Sequence, residues 1–223
     1  MPTKGTLVLV PAYNAAKYLP ELIPRVLKFV EPDHFLVVND GSADSTADIL
    51  RQSGVAHINF GENQGKGVAL KAGFRYAMEH EFRSVLTIDA DLQHLPEEIP
   101  RFLEKDDGQH VIMGTRHLTL KVMPPERWLT NNLTSIIISI FSCARVRDSQ
   151  SGYRLMPTWL LERIPMDASA YDLESQMLFN AGAVECPIDE VPVTTVYEGS
   201  HSYINPFIDS GRFVRQIWQR IWA

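Results

Sequence analysis

The sequence predicts an α/β fold: a mainly parallel sheet with helices on both faces. Two observations carry this. Short apolar, β-branched runs alternate with segments of helical spacing through the first half of the chain, which is the pattern of strands joined by crossover helices. Polar, glycine-containing turns stand at the carboxyl ends of those runs, where open α/β sheets bind their ligands. The 223 residues suit one domain, 1–223, with ample core, and 45% hydrophobic against 22% charged residues marks a globular chain.

The elements follow in order. Gly5-Thr6-Leu7-Val8-Leu9-Val10 is a buried first strand, broken by Pro11-Ala12-Tyr13-Asn14. Leu19, Leu22, Ile23, Val26, Leu27 and Val30 carry helical spacing. Phe35-Leu36-Val37-Val38 is a second strand, ending in the small polar turn Asn39 to Thr46, and a helix continues from Ala47 to Gln52. Val55 to Asn59 is a third strand, followed by the turn Gly61-Glu62-Asn63-Gln64-Gly65-Lys66-Gly67 and a helix from Val68 to Glu79. The central strand Val85-Leu86-Thr87-Ile88 runs into Asp89-Ala90-Asp91-Leu92-Gln93-His94. Pro96, Glu97 and Glu98 then open a helix, and Val111-Ile112-Met113 is a further strand. Val184 to Val193 reads as strand pieces broken by prolines, at a sheet edge.

The central strand carries the chemistry. A strand alternates faces, so Asp89 and Asp91 project the same way across Ala90, and Gln93 adds an oxygen one alternation further on. Two carboxylates at the end of an apolar strand repel each other, and a divalent cation with oxygen ligands, Mg²⁺ or Mn²⁺, relieves that and favours phosphate oxygens. A capping Asp followed by a solvated turn is the alternative. Tyr13, Asn39, Asp40 and Lys66 lie at neighbouring strand ends. Asn39 and Asp40 can hydrogen-bond a base edge or a ribose, and Tyr13 can cover a base. The Gly65-Lys66-Gly67 turn admits a close ligand and offers a cation. It is not a P-loop, because the Gly-x-x-x-x-Gly-Lys-Ser/Thr pattern is absent. The implied ligand is a nucleotide whose diphosphate departs during reaction.

These segments resemble the successive motifs of family 2 glycosyltransferases, nearest to the dolichyl- or polyprenyl-phosphate sugar synthases. The resemblance rests on Pro11-Ala12-Tyr13-Asn14, Asn39-Asp40-Gly41-Ser42 with Asp44 and Thr46, Asn63-x-Gly65-Lys66-Gly67, and Asp89 to His94. Gly114-Thr115-Arg116, Arg127 and Asp148 to Arg154 extend it over most of the chain. It implies a GT-A fold, a GDP- or UDP-sugar donor, Mg²⁺ or Mn²⁺, and inversion at the anomeric carbon. It assigns the metal to Asp91 and Gln93 with Asp89 in support, and the donor to Pro11, Tyr13, Asn14, Asn39, Asp40, Gly41, Lys66, Asp89, Ala90 and His201. Arg116 and Arg127 would lie near an acceptor phosphate. Residues 1–115 would form the nucleotide-sugar half and 116–223 the acceptor half. The chain departs from the pattern in several places. Asn39 replaces a common Asp, Ala15 a common Glu, His117 to Lys121 a glycine-rich stretch, and His201 a frequent Lys in the loop Glu198 to Tyr203.

The second half is read as the acceptor side. Leu129 to Ala144 has helical apolar spacing and is either a packed helix or one at a membrane interface. The C-terminal stretch from Phe207 to Trp222 mixes Ile and Trp with Arg212, Arg215 and Arg220, which suits a membrane surface or a membrane-protein partner, with a core or dimer helix as the alternative. Asp172 and Glu174 are candidate general bases for a hydroxyl acceptor, with an N-cap as the alternative for Asp172. A phosphate acceptor needs no base. The net charge of −6 argues against nucleic-acid binding. The two cysteines, Cys143 and Cys186, lack metal-ligand spacing and fit a reducing compartment. The expectation is a cytoplasmic enzyme, peripheral on the inner face of the cell membrane, that transfers a sugar to polyprenyl phosphate. A saccharide or glycolipid hydroxyl is the alternative acceptor, and a nucleotide-binding pseudoenzyme is the alternative from another class.

Overall fold

A computed structural model describes residues 4–116, 135, 136, 139, 146–163, 172–194 and 196. The elements are β1 (Lys4–Ala12), α1 (Leu19–Val26), β2 (Phe35–Asn39), α2 (Thr46–Ser53), β3 (Ala56–Asn59), α3 (Lys66–Glu79), β4 (Phe82–Thr87), α4 (Ile99–Leu103), β5 (Val111–Arg116), β6 (Arg154–Pro157), α5 (Thr158–Arg163), α6 (Asp172–Ala183) and β7 (Ile188–Val193). They form a seven-stranded sheet in the order β3-β2-β1-β4-β6-β5-β7. Strands β1 to β4 are mutually parallel and β5 is parallel to β7. Strand β6 runs antiparallel to both β4 and β5.

The period-2 alternation of the strands divides the core between two faces. Leu7, Leu9, Leu36, Val38 and Val85 pack with Leu70, Phe74 and Ala77 of α3, Leu160 of α5 and Met177 of α6. Val8, Val10, Phe35, Val37 and Leu86 face the other way, onto Leu19, Leu22 and Val26 of α1, Leu50 of α2 and Phe102 of α4. Helices thus cover both faces, as the spacing predicts.

Three local expectations change. The first helix ends at Val26 rather than at Val30, five residues before the extended Glu31 that precedes Pro32. Strand β4 ends at Thr87, two residues before the first acid. Strand β6 was not foreseen: four residues that start with Arg154 and end with Pro157 carry too little pattern to read as a strand. The prolines of the last strand do fit its place, since β7 lies at the sheet edge with Pro192 beside Thr115. No helix among the described residues is long and apolar enough to cross a membrane.

Candidate active site

The site lies beyond the carboxyl ends of β1, β2, β3 and β4. Because β4 stops at Thr87, Asp89, Ala90, Asp91 and Gln93 sit in a turn, with Leu92 at φ +60°. Strand alternation therefore does not aim the two acids; the turn does. Asp91 closes it by accepting the backbone N–H of Gln93 at 3.0 Å and the Gln93 side-chain amide at 2.7 Å. Ala90 is buried against the second core face and anchors the turn from below.

Asp89 is part of an ion network. Lys66, the first residue of α3, brings Nζ to 2.6 Å from Asp89 Oδ1 and 3.1 Å from Glu174 Oε1. Burial pushes Asp89 up, but the charges of Lys66 and Arg154 and the Lys66 hydrogen bond hold it below the usual carboxylate range. Burial pulls Lys66 down, and the two carboxylates outweigh it, so the ammonium stays charged. Asp91 forms no ion pair among the described residues. Burial and the Asp89 charge raise its proton affinity.

The backbone at 148–154 encloses Asp89 from the far side. A Cβ on Gly152 would overlap the Asp89 carboxylate, so any larger residue there would displace that side chain. Thr87 Oγ1 donates to the Gly152 carbonyl at 2.8 Å, fixing that approach. Arg154, 1% exposed, donates to the carbonyls of Ser151, Ser149 and Glu174 at 2.6, 2.6 and 2.7 Å. It thereby ties the loop to the start of α6.

The other strand ends build a second cradle. Asp40 accepts the backbone N–H groups of Gln64 at 2.8 Å and Gly65 at 2.9 Å, which fastens the glycine-rich turn. Gly41 has φ +62°, and a Cβ there would run into the backbone of Glu62 and Asn63. Asn14, at φ +50°, accepts from the Ala43 N–H at 2.9 Å and donates its own N–H to Ser42 Oγ at 2.9 Å. Asn39 is buried, whereas Tyr13, just past Pro11 at the end of β1, is 47% exposed and open to cover a ligand.

Several of the residues expected at the site already have partners within the chain. The carboxylate of Asp40 and the amide of Asn39 already serve the chain, as Asp40 holds the turn and Asn39 bonds Ser42 and Asn59. Arg116 does not stand alone for a phosphate: Asp148 takes its Nε and Nη2 at 2.6 and 2.8 Å, a bidentate pair. Glu174 is bridged to Lys66, which counts against its use as a base. Asp172 is the first residue of α6, and its side chain lies outside the described residues, as do Arg127 and His201. So do most of the 129–144 segment, the 198–203 loop and the C-terminal stretch.

The sequence motif assigned no role to His94, which is buried beside the acids. Its ring is 3% exposed and lies 5.4 Å from the ring of Tyr153, and Nδ1 has no hydrogen-bond partner among the described residues. Burial lowers its pKa to about 4, so it is neutral beside the acids and cations. The signal was present in the Asp89 to His94 motif but gave no role.

Residues 7–167 match the profile described as glycosyl transferase family 2. The chain belongs to that family. This family 2 glycosyltransferase is 29% identical over 206 residues to polyprenol monophosphomannose synthase of Mycolicibacterium smegmatis, covering 86% of this chain and 78% of the relative. It is 28% identical over 221 residues to the UDP-N-acetylglucosamine–dolichyl-phosphate N-acetylglucosaminyltransferase of Methanococcus voltae, covering 88% of each. Among solved structures, glucosyl-3-phosphoglycerate synthase of Mycobacterium tuberculosis in complex with Mg²⁺ and UDP superposes with TM-score 0.72 at 20% identity, over 96% of this chain and 77% of that one. The fold is GT-A.

Proposed function

We propose that this glycosyltransferase moves a sugar from a nucleoside-diphosphate donor to a polyprenyl phosphate, with inversion. The observation that carries the acceptor is the Lys66 bridge to Glu174. A hydroxyl acceptor would need a free carboxylate to take its proton. Here Glu174 is engaged in an ion pair with Lys66, while a phosphate oxygen is already an anion and attacks without a base. The two relatives named above, whose names include polyprenol and dolichyl phosphate, support the same reading.

The donor set fits a hard divalent cation. Asp91 is half-buried with raised proton affinity despite its hydrogen bonds from Gln93, so a cation there would relieve it. Among the described residues no group of three or more His, Cys, Asp or Glu could hold a metal. Asp91 and Gln93 would therefore hold Mg²⁺ or Mn²⁺ together with ligand oxygens, and Asp89 would support them. When bound, the cation would stabilise the charge of the departing diphosphate. Pro11, Tyr13 and Asn14 would bound the nucleoside, and Lys66, held between two acids, would face the phosphates. Ala90 and Gly41 keep the turns tight, and His201 would approach from the late loop. Arg116, steadied by Asp148, and Arg127 would receive the acceptor phosphate. Residues 1–115 would serve the donor and 116–223 the acceptor, with the chain peripheral on the inner membrane face, against lipid or a membrane-protein partner.

Transfer to polyprenyl phosphate by Arg127→Ala, and by the pair Asp172→Asn with Glu174→Gln, separates the acceptors. The expected result is that Arg127→Ala cripples transfer and spares nucleotide binding, while the carboxylate pair keeps transfer within about tenfold of the parent. A loss of on the order of 10²-fold or more in the carboxylate pair, with Arg127→Ala unaffected, would instead point to a saccharide or glycolipid hydroxyl.

A further inference from the structure

A chain of hydrogen bonds at the donor end has a fixed polarity. The Asn14 backbone N–H donates to Ser42 Oγ, so the Ser42 hydroxyl hydrogen goes to Asn39 Oδ1, 2.5 Å away. The Ser42 backbone N–H donates to the same oxygen at 3.2 Å. A backbone N–H can only donate, so Asn39 must turn its oxygen to Ser42 and its amide nitrogen to the other side. There Nδ2 donates to Asn59 Oδ1 at 2.9 Å. The amide of Asn59 is oriented in turn: its oxygen is taken, and its Nδ2 hydrogens face away from Asn39. Asn59 is exposed at the carboxyl end of β3, and no described residue accepts from that nitrogen.

The position suits one part of a nucleotide. The order β3-β2-β1-β4 puts Asn59 three strand spacings from the Asp91 turn, about 14 Å. That is the reach of an extended nucleoside diphosphate. With the phosphates at the β4 end and Tyr13 at the end of β1 between them, the base falls at β2 and β3.

We propose that Asn59 reads the donor's nucleobase as a hydrogen-bond donor and favours a base whose edge offers a carbonyl, uracil or guanine, over one that offers an amino group, cytosine or adenine. Asn39 is the positioning residue that sets this polarity. The proposal rests on the nucleotide-sugar reading above. It also gives the amide at position 39 a consequence. An aspartate there would still accept from Ser42, but its second oxygen would require the Asn59 nitrogen. Asn59 would then turn its oxygen outward and match an amino edge instead.

Calorimetric titration of UDP, GDP, CDP and ADP with Mn²⁺ into the parent, Asn59→Ala and Asn39→Asp tests this. The parent is expected to bind UDP or GDP about tenfold or more tighter than its amino counterpart, CDP or ADP respectively. Asn59→Ala should shrink that ratio towards one, and Asn39→Asp should shrink or invert it. Asn59→Ala lies on an exposed edge, so it reports even if Asn39→Asp fails to fold. Parent ratios retained in Asn59→Ala, or no keto preference in the parent, would overturn the proposal and leave the glycosyltransferase reading standing. No binding of any nucleotide by the folded parent would overturn both.

Discussion

The two acids of the central turn, two residues apart, are treated differently by their surroundings. Asp89 is paired with Lys66 and boxed in by Gly152, so it is ionised and rigid. Asp91 forms no ion pair among the described residues and is held by Gln93, so it is the one that would gain from a cation. Asp91→Ala should abolish Mn²⁺-dependent nucleoside diphosphate binding and leave thermal unfolding close to that of the parent, because no core packing depends on the side chain. Equal affinity in parent and variant, measured by calorimetry, would remove the metal assignment. His94 makes a prediction about pH. Its pKa falls from 6.5 to about 4 on folding because burial disfavours the imidazolium. Its contribution to stability is therefore present above pH 6.5 and is lost as pH falls towards 4, with about one proton taken up on unfolding across that window. His94→Gln should flatten this part of the stability–pH curve. A slope as steep in the variant as in the parent would mean that other groups carry it.

Among the elements, β6 does the most with the fewest residues. Its first side chain, Arg154, binds three carbonyls from two segments, and its backbone runs antiparallel between β4 and β5. Replacing Arg154 with Met would strand those carbonyls and leave the buried charge of the Asp89 and Asp148 region less balanced. A loss of about 3 kcal/mol or more in denaturant unfolding is expected. Lysine should not rescue it, because a single ammonium cannot reproduce the planar fork. Stability within about 1 kcal/mol of the parent would contradict the role. This element also marks how far the sequence could be read. The strand–helix order of the first half was legible because each strand is a β-branched run several residues long and each helix repeats its apolar face. The clustering of Tyr13, Asn39, Asp40, Lys66 and Asp89 followed from parallel strand ends alone. What was not legible were polar partnerships across long chain separations. Lys66 with Glu174, Arg116 with Asp148 and Gly152 against Asp89 join residues that no local period connects. The turn that aims Asp91 needed Leu92 at positive φ, which a leucine does not advertise.

Across the whole molecule the sheet separates stability from chemistry. At the carboxyl ends of β1 to β4 lie the charged groups of the candidate site. At the opposite end, the fully buried carboxylate of Asp106 gathers donors from three segments: Thr6 Oγ1 at 2.5 Å, Ser84 Oγ at 2.8 Å, Arg83 Nη2 at 2.9 Å and the Gly108 N–H at 3.0 Å. Thr6 and Ser84 are register partners on β1 and β4, so Asp106 pins the two central strands where they begin. The same strands reach the Asp89 turn at their other ends. Asp106→Ala leaves four donors without their acceptor, three of them part-buried, and should cost about 3 kcal/mol in denaturant unfolding. Because the change lies a full strand length from the site, the fraction that stays folded should bind nucleoside diphosphate with parental affinity. Affinity measured well below the unfolding midpoint decides the matter. A drop of tenfold or more there would show that the two ends of the sheet are energetically coupled, and that the donor cradle depends on how β1 and β4 are pinned at their start.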